Sequence, residues 1–160
     1  MQQRPPVTLS ERLILLVATG LGSGYAPVAP GTFGSVVGVL LAWPLLALPL
    51  LPYLLLTALV FWLGTFTAGR AERHFGKKDA GSIVIDEIAG ILVTFIAITP
   101  TPLHLVLGFA LFRLFDITKP PPCRWAERNF SGGLGVMADD VMAGVYACLV
   151  LHGVVRVFGI

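Results

Sequence analysis

The sequence predicts an all-α, polytopic membrane helix bundle of about five transmembrane helices, preceded by a short N-terminal interfacial or half-inserted helix. Three observations carry this. Of 160 residues, 56% are hydrophobic and 12% charged, whereas an ordinary soluble domain carries roughly 25% charged residues, so lipid is the expected solvent. The apolar runs are continuous and lack period-two alternation; in a bilayer each spanning segment has to satisfy its own backbone hydrogen bonds, and runs of this kind do so as helices. Lys and Arg gather in a few stretches between the apolar runs, which gives the bundle an orientation. At this length one domain covering residues 1–160 is expected.

The elements follow in order. The N-terminal MQQRPPVTLSER is polar and broken by proline, and the short apolar stretch after it ends in glycines without an A-x-A site, so no cleavable signal peptide is expected and the chain starts in the cytoplasm. Residues 9–19 suit the short interfacial helix. Residues 20–35, TGLGSGYAPVAPGTFGS with its leading Thr19, are too rich in Gly and Pro for regular structure. Residues 36–66 carry no charge and exceed one span of about 20 residues, so they predict a helical hairpin that turns near residues 48–52. Arg70, Glu72, Arg73, Lys77, Lys78 and Asp79 then crowd into one polar loop. Residues 83–98 form a third apolar segment, TPTP at 99–102 turns the chain, and residues 103–115 return as a fourth. A loop with Lys119, Arg124 and Arg128 follows, then Gly132, Gly133 and Gly135, which suit a turn or a flexible lid, and a fifth segment runs from near Asp139 to about Val157. The positive-inside rule puts the two cationic loops in the cytoplasm and the two Pro-rich turns outside. Arg156 departs from the rule mildly and can snorkel to the interface.

This topology brings the acids together. Asp86 and Glu87 start the third span, Asp116 ends the fourth, and Asp139 and Asp140 start the fifth, so alternation carries all five to the cytoplasmic side. Charged groups at membrane depth are functional-site hypotheses. Five carboxylates with few local cations repel one another, and a divalent cation resolves the conflict; an all-oxygen donor set suits a hard ion, Mg²⁺ or Mn²⁺, rather than zinc. The bland alternative is that acids at helix starts complement the macrodipole and cap free N–H groups. It does not account for Asp116 at a helix C-terminus, nor for doubling at two separate starts. Asp86 and Gly90 are four residues apart, as are Asp140 and Gly144, so each acid shares a helix face with a glycine one turn deeper, where backbones can approach closely.

Arg113, Asp116 and Lys119 are spaced three apart, one helical face if the helix persists to Lys119. They form either an intrahelical ion-pair ladder or, with Lys119 and Arg113 as a phosphate clamp, part of the site. Thr32 and Ser35 are good N-cap residues for the first span, behind a Gly-rich loop able to present N–H groups to an anion; the same residues also describe a plain turn and cap. His74, His104 and His152 fall in a polar loop, on the outer side and deep in the last helix, and are assigned no role. Trp43, Tyr53 and Trp125 suit interface anchors. Cys123 and Cys148 make no CxxC pair and are expected to be reduced.

Four motifs, PVAPGTFGS, SIVIDEIAG, FRLFDITKPPP and GGLGVMADDVMAG, in this order and at these separations, resemble the phosphatidylglycerophosphatase A family. The resemblance covers residues 20–147. It implies removal of the terminal phosphate of phosphatidylglycerophosphate, with Mg²⁺, at the cytoplasmic face of a bacterial inner membrane; the partner is a membrane phospholipid, and no nucleic acid is expected. Asp86, Glu87, Asp116, Lys119, Asp139 and Asp140 stand at the family's acidic and basic motif positions. Competing chemistries fit less well. The chain has no Cys-x5-Arg loop, no DxDxT motif, no arrangement of catalytic histidines and no spaced DG-AR-G-D-D pattern of CDP-alcohol transferases. A transporter or ion channel would hold its acids near the bilayer midplane, whereas these lie near helix ends.

Overall fold

Helices form wherever the chain supplies a start, an apolar run and a stop. The computed structural model describes residues 8–159, without the side chains of 126–128. The polar lead of residues 1–7, on which the expectation about a signal peptide partly rests, and Arg128 of the second cationic loop lie outside that description. Among the described residues there is no strand and there are seven α-helices: α1 (Leu9–Ala18), α2 (Pro30–Leu45), α3 (Leu50–Phe75), α4 (Ile85–Thr94), α5 (Pro102–Thr118), α6 (Cys123–Asn129) and α7 (Gly133–Phe158).

The starts and stops are local chemistry. Thr8 and Glu11 close a capping box on α1. Pro30 and Pro102 lie in the first turns of α2 and α5, where a missing N–H costs nothing. Gly76 ends α3 in the left-handed conformation.

Length separates these helices into classes. α3 and α7, with 26 residues each, reach about 39 Å at 1.5 Å per residue, and both are apolar enough to cross a bilayer. α2 has 16 residues and α5 has 17. α4 corrects the expected third span: it has ten residues, about 15 Å or half a hydrocarbon core. Among the described residues two helices thus meet the length and apolarity of a span, against the five expected from hydropathy.

α4 is the centre of the bundle. Every residue in it but Glu87 is buried, with α2, α3, α5 and α7 packed around it. Glycines set the approach of these helices. Gly34 faces Val84 and Gly38 faces Ile91, Gly108 faces Phe95 and Leu151, and Gly64 faces Met137. α4 and α7 meet backbone to backbone: a Cβ on Gly90 would lie 2.7 Å from the Asp140 carbonyl oxygen, and one on Gly144 would collide with the Gly90 carbonyl. The expected close approach at these two glycines is therefore realised.

Where α4 stops inside the bundle, its backbone needs partners. The Tyr53 hydroxyl donates to the Leu92 carbonyl at 2.7 Å. Ring nitrogens of His104 and His152 meet the carbonyls of Thr99 at 2.6 Å and Ile96 at 2.9 Å. Two of the three histidines thus converge on one turn after all, as partners of its carbonyls, and Tyr53 is a buried tether rather than an interface anchor.

Four other expectations change. Residues 20–35 are not irregular throughout: a 3-10 turn spans Ser23–Tyr25 and α2 begins at Pro30, because Pro30 fixes a helical φ and the later glycines are packing surfaces. Thr32 and Ser35 therefore sit inside α2, whose N-cap is Ala29. Arg70, Glu72, Arg73 and His74 belong to α3, which continues to Phe75. The stretch after Lys119 contains α6, and α7 starts at Gly133 because Gly133 and Gly135 are buried packing positions, Gly133 against the Thr65 carbonyl. Cys123 and Cys148 are free, as expected.

Gly144→Val is expected to lower stability by about 1–3 kcal/mol or more, as overpacking does, since the facing atom is backbone. Gly153→Ala, on the same helix with open space around it, should be neutral or slightly stabilising. Thermal unfolding in detergent checks both.

Candidate active site

The site is assembled at one end of the bundle from three helix ends. The Val84 N–H donates to the Ala18 carbonyl at 2.9 Å, tying the start of α4 to the end of α1 and fixing the first turn that carries Asp86 and Glu87. α5 brings Asp116 in its last turn. α7 brings Asp139 and Asp140 in its second turn rather than at its start, since the helix begins at Gly133. Asp86, Asp139 and Asp140 are 6%, 5% and 4% exposed, too buried for solvated surface charges. All five acids, with Arg113 and Lys119, border one cavity of about 240 Å³.

Capping does not explain these carboxylates. The N-cap of α4 is Val84 with no side-chain cap bond, and Asp139 and Asp140 lie past the first turn of α7.

The cations divide the acids. Arg113 pairs with Asp116 at 2.5 Å and reaches the Ser35 hydroxyl at 3.4 Å. The helix does not persist to Lys119: this residue is the C-cap of α5 in the left-handed conformation, φ 43°. The single-face ladder is therefore broken, and Lys119 turns across to Asp139, its ammonium donating at 2.6 Å. Pro120 to Pro122 follow, so the chain cannot resume the helix at once.

Asp86, Glu87 and Asp140 remain as a cluster. One oxygen from each lies within 4.8 Å of the others. Asp86 Oδ1 and Glu87 Oε2 are buried with no hydrogen-bond partner. A buried acceptor left unsatisfied costs about 1–3 kcal/mol, and more when charged, so oxygens that converge in this way fit a bound cation. The donors are all carboxylates, the chemistry of a hard divalent ion. Asp116 lies beside Asp140 and Asp139 is its chain neighbour, so the whole group is contiguous.

Ser35 is buried, donates to the Gly31 carbonyl at 2.8 Å and faces Arg113. Thr32 lies in the first turn of α2 and does not border the cavity. Five bordering residues, Pro30, Gly31, Asp79, Gly81 and Ile83, escaped the sequence reading, and two of them shape the cavity through their contacts. Gly31 has no room for a side chain: a Cβ there would collide with the Glu87 carboxylate and lie 3.3 Å from the Arg113 guanidinium. Its signal was a glycine directly after a helix-starting proline. Asp79 reaches the rim from the segment after α3, its N–H donating to Glu72 Oε1 at 2.8 Å; nothing in its spacing distinguished it from the surrounding loop charges.

The sequence model of the phosphatidylglycerophosphatase A family matches residues 16–155. A phosphatidylglycerophosphatase A of Haemophilus influenzae is 41% identical over 143 residues, 88% of each chain. That of Escherichia coli is 38% identical over 138 residues, 86% of this chain and 80% of the relative. A Bacteroides thetaiotaomicron protein provisionally named a phosphatidylinositol-3-phosphatase is 39% identical over 148 residues, 87% of this chain and 91% of the relative. No solved structure matches the chain. Since the family match and two relatives so named both extend over most of its length, the chain belongs to the phosphatidylglycerophosphatase A family.

Proposed function

We propose that residues 1–160 form one lipid phosphatase domain that hydrolyses the terminal phosphomonoester of phosphatidylglycerophosphate, giving phosphatidylglycerol and inorganic phosphate, with Mg²⁺ as cofactor. The observation that carries the reading is the pair of unpartnered buried oxygens on Asp86 and Glu87, beside Asp140, in a cavity edged by Arg113 and Lys119. Asp86, Glu87 and Asp140 would hold the ion, with Asp116 and Asp139 as the further carboxylates available to it. When bound, Mg²⁺ supplies charge neutralisation of the phosphomonoester and polarisation of its P–O bond.

The protein's own groups do the rest. Lys119 and Arg113 exchange part of their hold on Asp139 and Asp116 for the phosphoryl oxygens and stabilise the charge that develops there. The carboxylate so released takes a proton from water as general base. The water oxygen bonds to phosphorus as the bond to the glycerol oxygen breaks, and the departing oxygen takes up a proton from solvent at the cavity mouth. The same carboxylate attacking phosphorus directly would give an aspartyl-phosphate, which acid quenching with labelled substrate would trap. Ser35 holds Arg113 in place, while Thr32, away from the cavity lining, is left without a step.

The provisional name of the Bacteroides relative supports a second reading, in which the phosphomonoester is on an inositol head group. A substrate panel with both lipids separates the two.

Phosphate release from phosphatidylglycerophosphate in detergent is expected to require Mg²⁺ and to stop in EDTA. Asp86→Asn, Asp116→Asn and Asp140→Asn should each lower turnover about a thousandfold, since such a metal contributes several kcal/mol and each 1.36 kcal/mol is tenfold. Lys119→Ala should cost about a hundredfold, as loss of one transition-state donor does. Without metal, Asp86→Asn and Asp140→Asn should melt at the same temperature as wild type or higher, because each removes a repulsive charge; Asp116→Asn is excluded from that expectation by its pairing with Arg113. Full activity in EDTA, or wild-type turnover by all three Asn variants, would remove the metallophosphatase reading.

The site is proposed to face the cytoplasm of a bacterial inner membrane, supported by the cation-rich segments at its end of the bundle. In intact cells a membrane-impermeant thiol reagent should label Thr101→Cys and spare Lys77→Cys. The reverse pattern would invert the orientation.

A further inference from the structure

The seams between the helices that surround the site are mostly closed by glycine. α2 meets α4 through Gly34 and Gly38, α4 meets α7 through Gly90 and Gly144, α5 meets α4 and α7 through Gly108, and α3 meets α7 through Gly64 and Gly133. The seam between α2 and α5 differs. Beyond the contact of Gly31 with Arg113 it opens into a cavity of about 190 Å³ lined by Val36, Val39 and Leu40 of α2 and Leu105, Val106 and Phe109 of α5.

Those residues form two facing stripes. Positions 36, 39 and 40 share one face of α2, and 105 and 109 share one face of α5. α2 runs away from the site and α5 runs toward it, so the groove starts beside Ser35 and one turn below Arg113, then extends about 6 Å along α5 from Phe109 to Leu105. All six side chains are apolar. Val36, Leu40 and Val106 are exposed to the surroundings of the bundle, so the groove is open laterally as well as toward the site.

We infer that the α2–α5 groove holds an acyl chain of the substrate lipid, so that the lipid enters sideways from the bilayer and Arg113 receives its phosphate at the head of the groove. The inference rests on the lipid phosphatase reading of the adjoining cavity. Continuity and lining decide the occupant: a chain in this groove has its polar end within a helical turn of the guanidinium, whereas the larger cavities at the α1–α3 and α3–α7 seams are edged by charged side chains, Glu11, Arg70 and Arg73 at the first and Glu72 and Arg73 at the second. Leu40, Val106 and their neighbours then act on binding, by orienting the lipid, and not on the reacting atoms.

Groove-filling variants test this in the full-length protein. Leu40→Trp and Val106→Trp lie on opposite walls at exposed positions, and Leu149→Trp, on the exposed surface of α7, is the control. With diacyl phosphatidylglycerophosphate both groove variants should raise KM about tenfold or more, the scale of steric discrimination in an apolar pocket, with kcat little changed. With the same head group lacking acyl chains their kcat/KM should equal that of wild type, and Leu149→Trp should match wild type on both substrates. A substrate analogue with a diazirine near the start of its acyl chain should crosslink to α2 and α5 in preference to phosphatidylcholine carrying the same diazirine. Unchanged KM for the diacyl lipid in both groove variants, or equal crosslinking by the two lipids, would overturn the groove and leave the phosphatase reading intact. Equal losses on both substrates would assign the effect to the fold and overturn it too. Failure of wild type to release phosphate from either substrate would remove the reading and the inference together.

Discussion

The contact of α4 with α7 at Gly90 and Gly144 governs the rest of the molecule. With no Cβ on either side, the Gly90 carbonyl sits where a side chain of Gly144 would be, and the backbone of Asp140 sits against Gly90. One turn closer to the end of the bundle, that approach brings the carboxylates of Asp86 and Asp140 to the same level, with Glu87 between α4 and the start of α2. Lipid chains are as apolar as the helix surfaces, so close van der Waals packing at small residues is what holds such helices together. Here the same glycines that allow tight packing also set the spacing of the acidic groups.

That spacing is electrostatically costly. Three carboxylates with converging oxygens, two of which each keep one buried oxygen without a hydrogen-bond partner, are held by packing against their own repulsion. The neighbouring acids are balanced differently: Asp116 has Arg113 and Asp139 has Lys119. The cavity therefore combines a cluster short of positive charge with two cations already in ion pairs beside it. A divalent ion and a phosphate dianion together satisfy both halves, which is why the geometry suits phosphomonoester chemistry better than simple storage of charge. Lys119 occupies its position because α5 ends in a left-handed residue followed by three prolines, so the ammonium turns toward α7 instead of continuing along α5.

A short, buried α4 is what makes this possible. A helix that crossed the bilayer fully would bring its last carbonyls to the opposite interface, where water can satisfy them. α4 instead stops after ten residues, with its Leu92 carbonyl held by Tyr53 and the Ile96 and Thr99 carbonyls just beyond its end held by His152 and His104. These side chains come from three different helices and act at the end remote from the acids, so the bundle holds α4 from both sides: the Ala18 carbonyl at its start and these donors beyond its end. The α2 N-terminus, tight against Glu87 through Gly31, completes the enclosure.

Much of this was legible in the sequence, because it depends on residue type and local order. Composition and uninterrupted apolar runs pointed to an all-helical fold with helices long and apolar enough to cross a membrane. Alternation of the segments put Asp86, Glu87, Asp116, Asp139 and Asp140 at one level, and the i, i+4 glycines announced close packing. The four motifs pointed to the family. Tertiary structure decided what depends on contacts far apart in the chain. Hydropathy could not tell the short buried α4 from a full span, since an apolar run looks the same whether lipid or protein surrounds it. The early starts of α2 and α7 followed from glycines at 34 and 133 that pack against Val84 and the Thr65 carbonyl, residues many positions away. The division of the acids into a cation-paired set and a convergent cluster, the turn of Lys119 to Asp139 and the presence of Gly31 and Asp79 at the cavity were likewise decided by neighbours that only the fold brings together, because ion pairing and burial act across space and leave no period in the sequence.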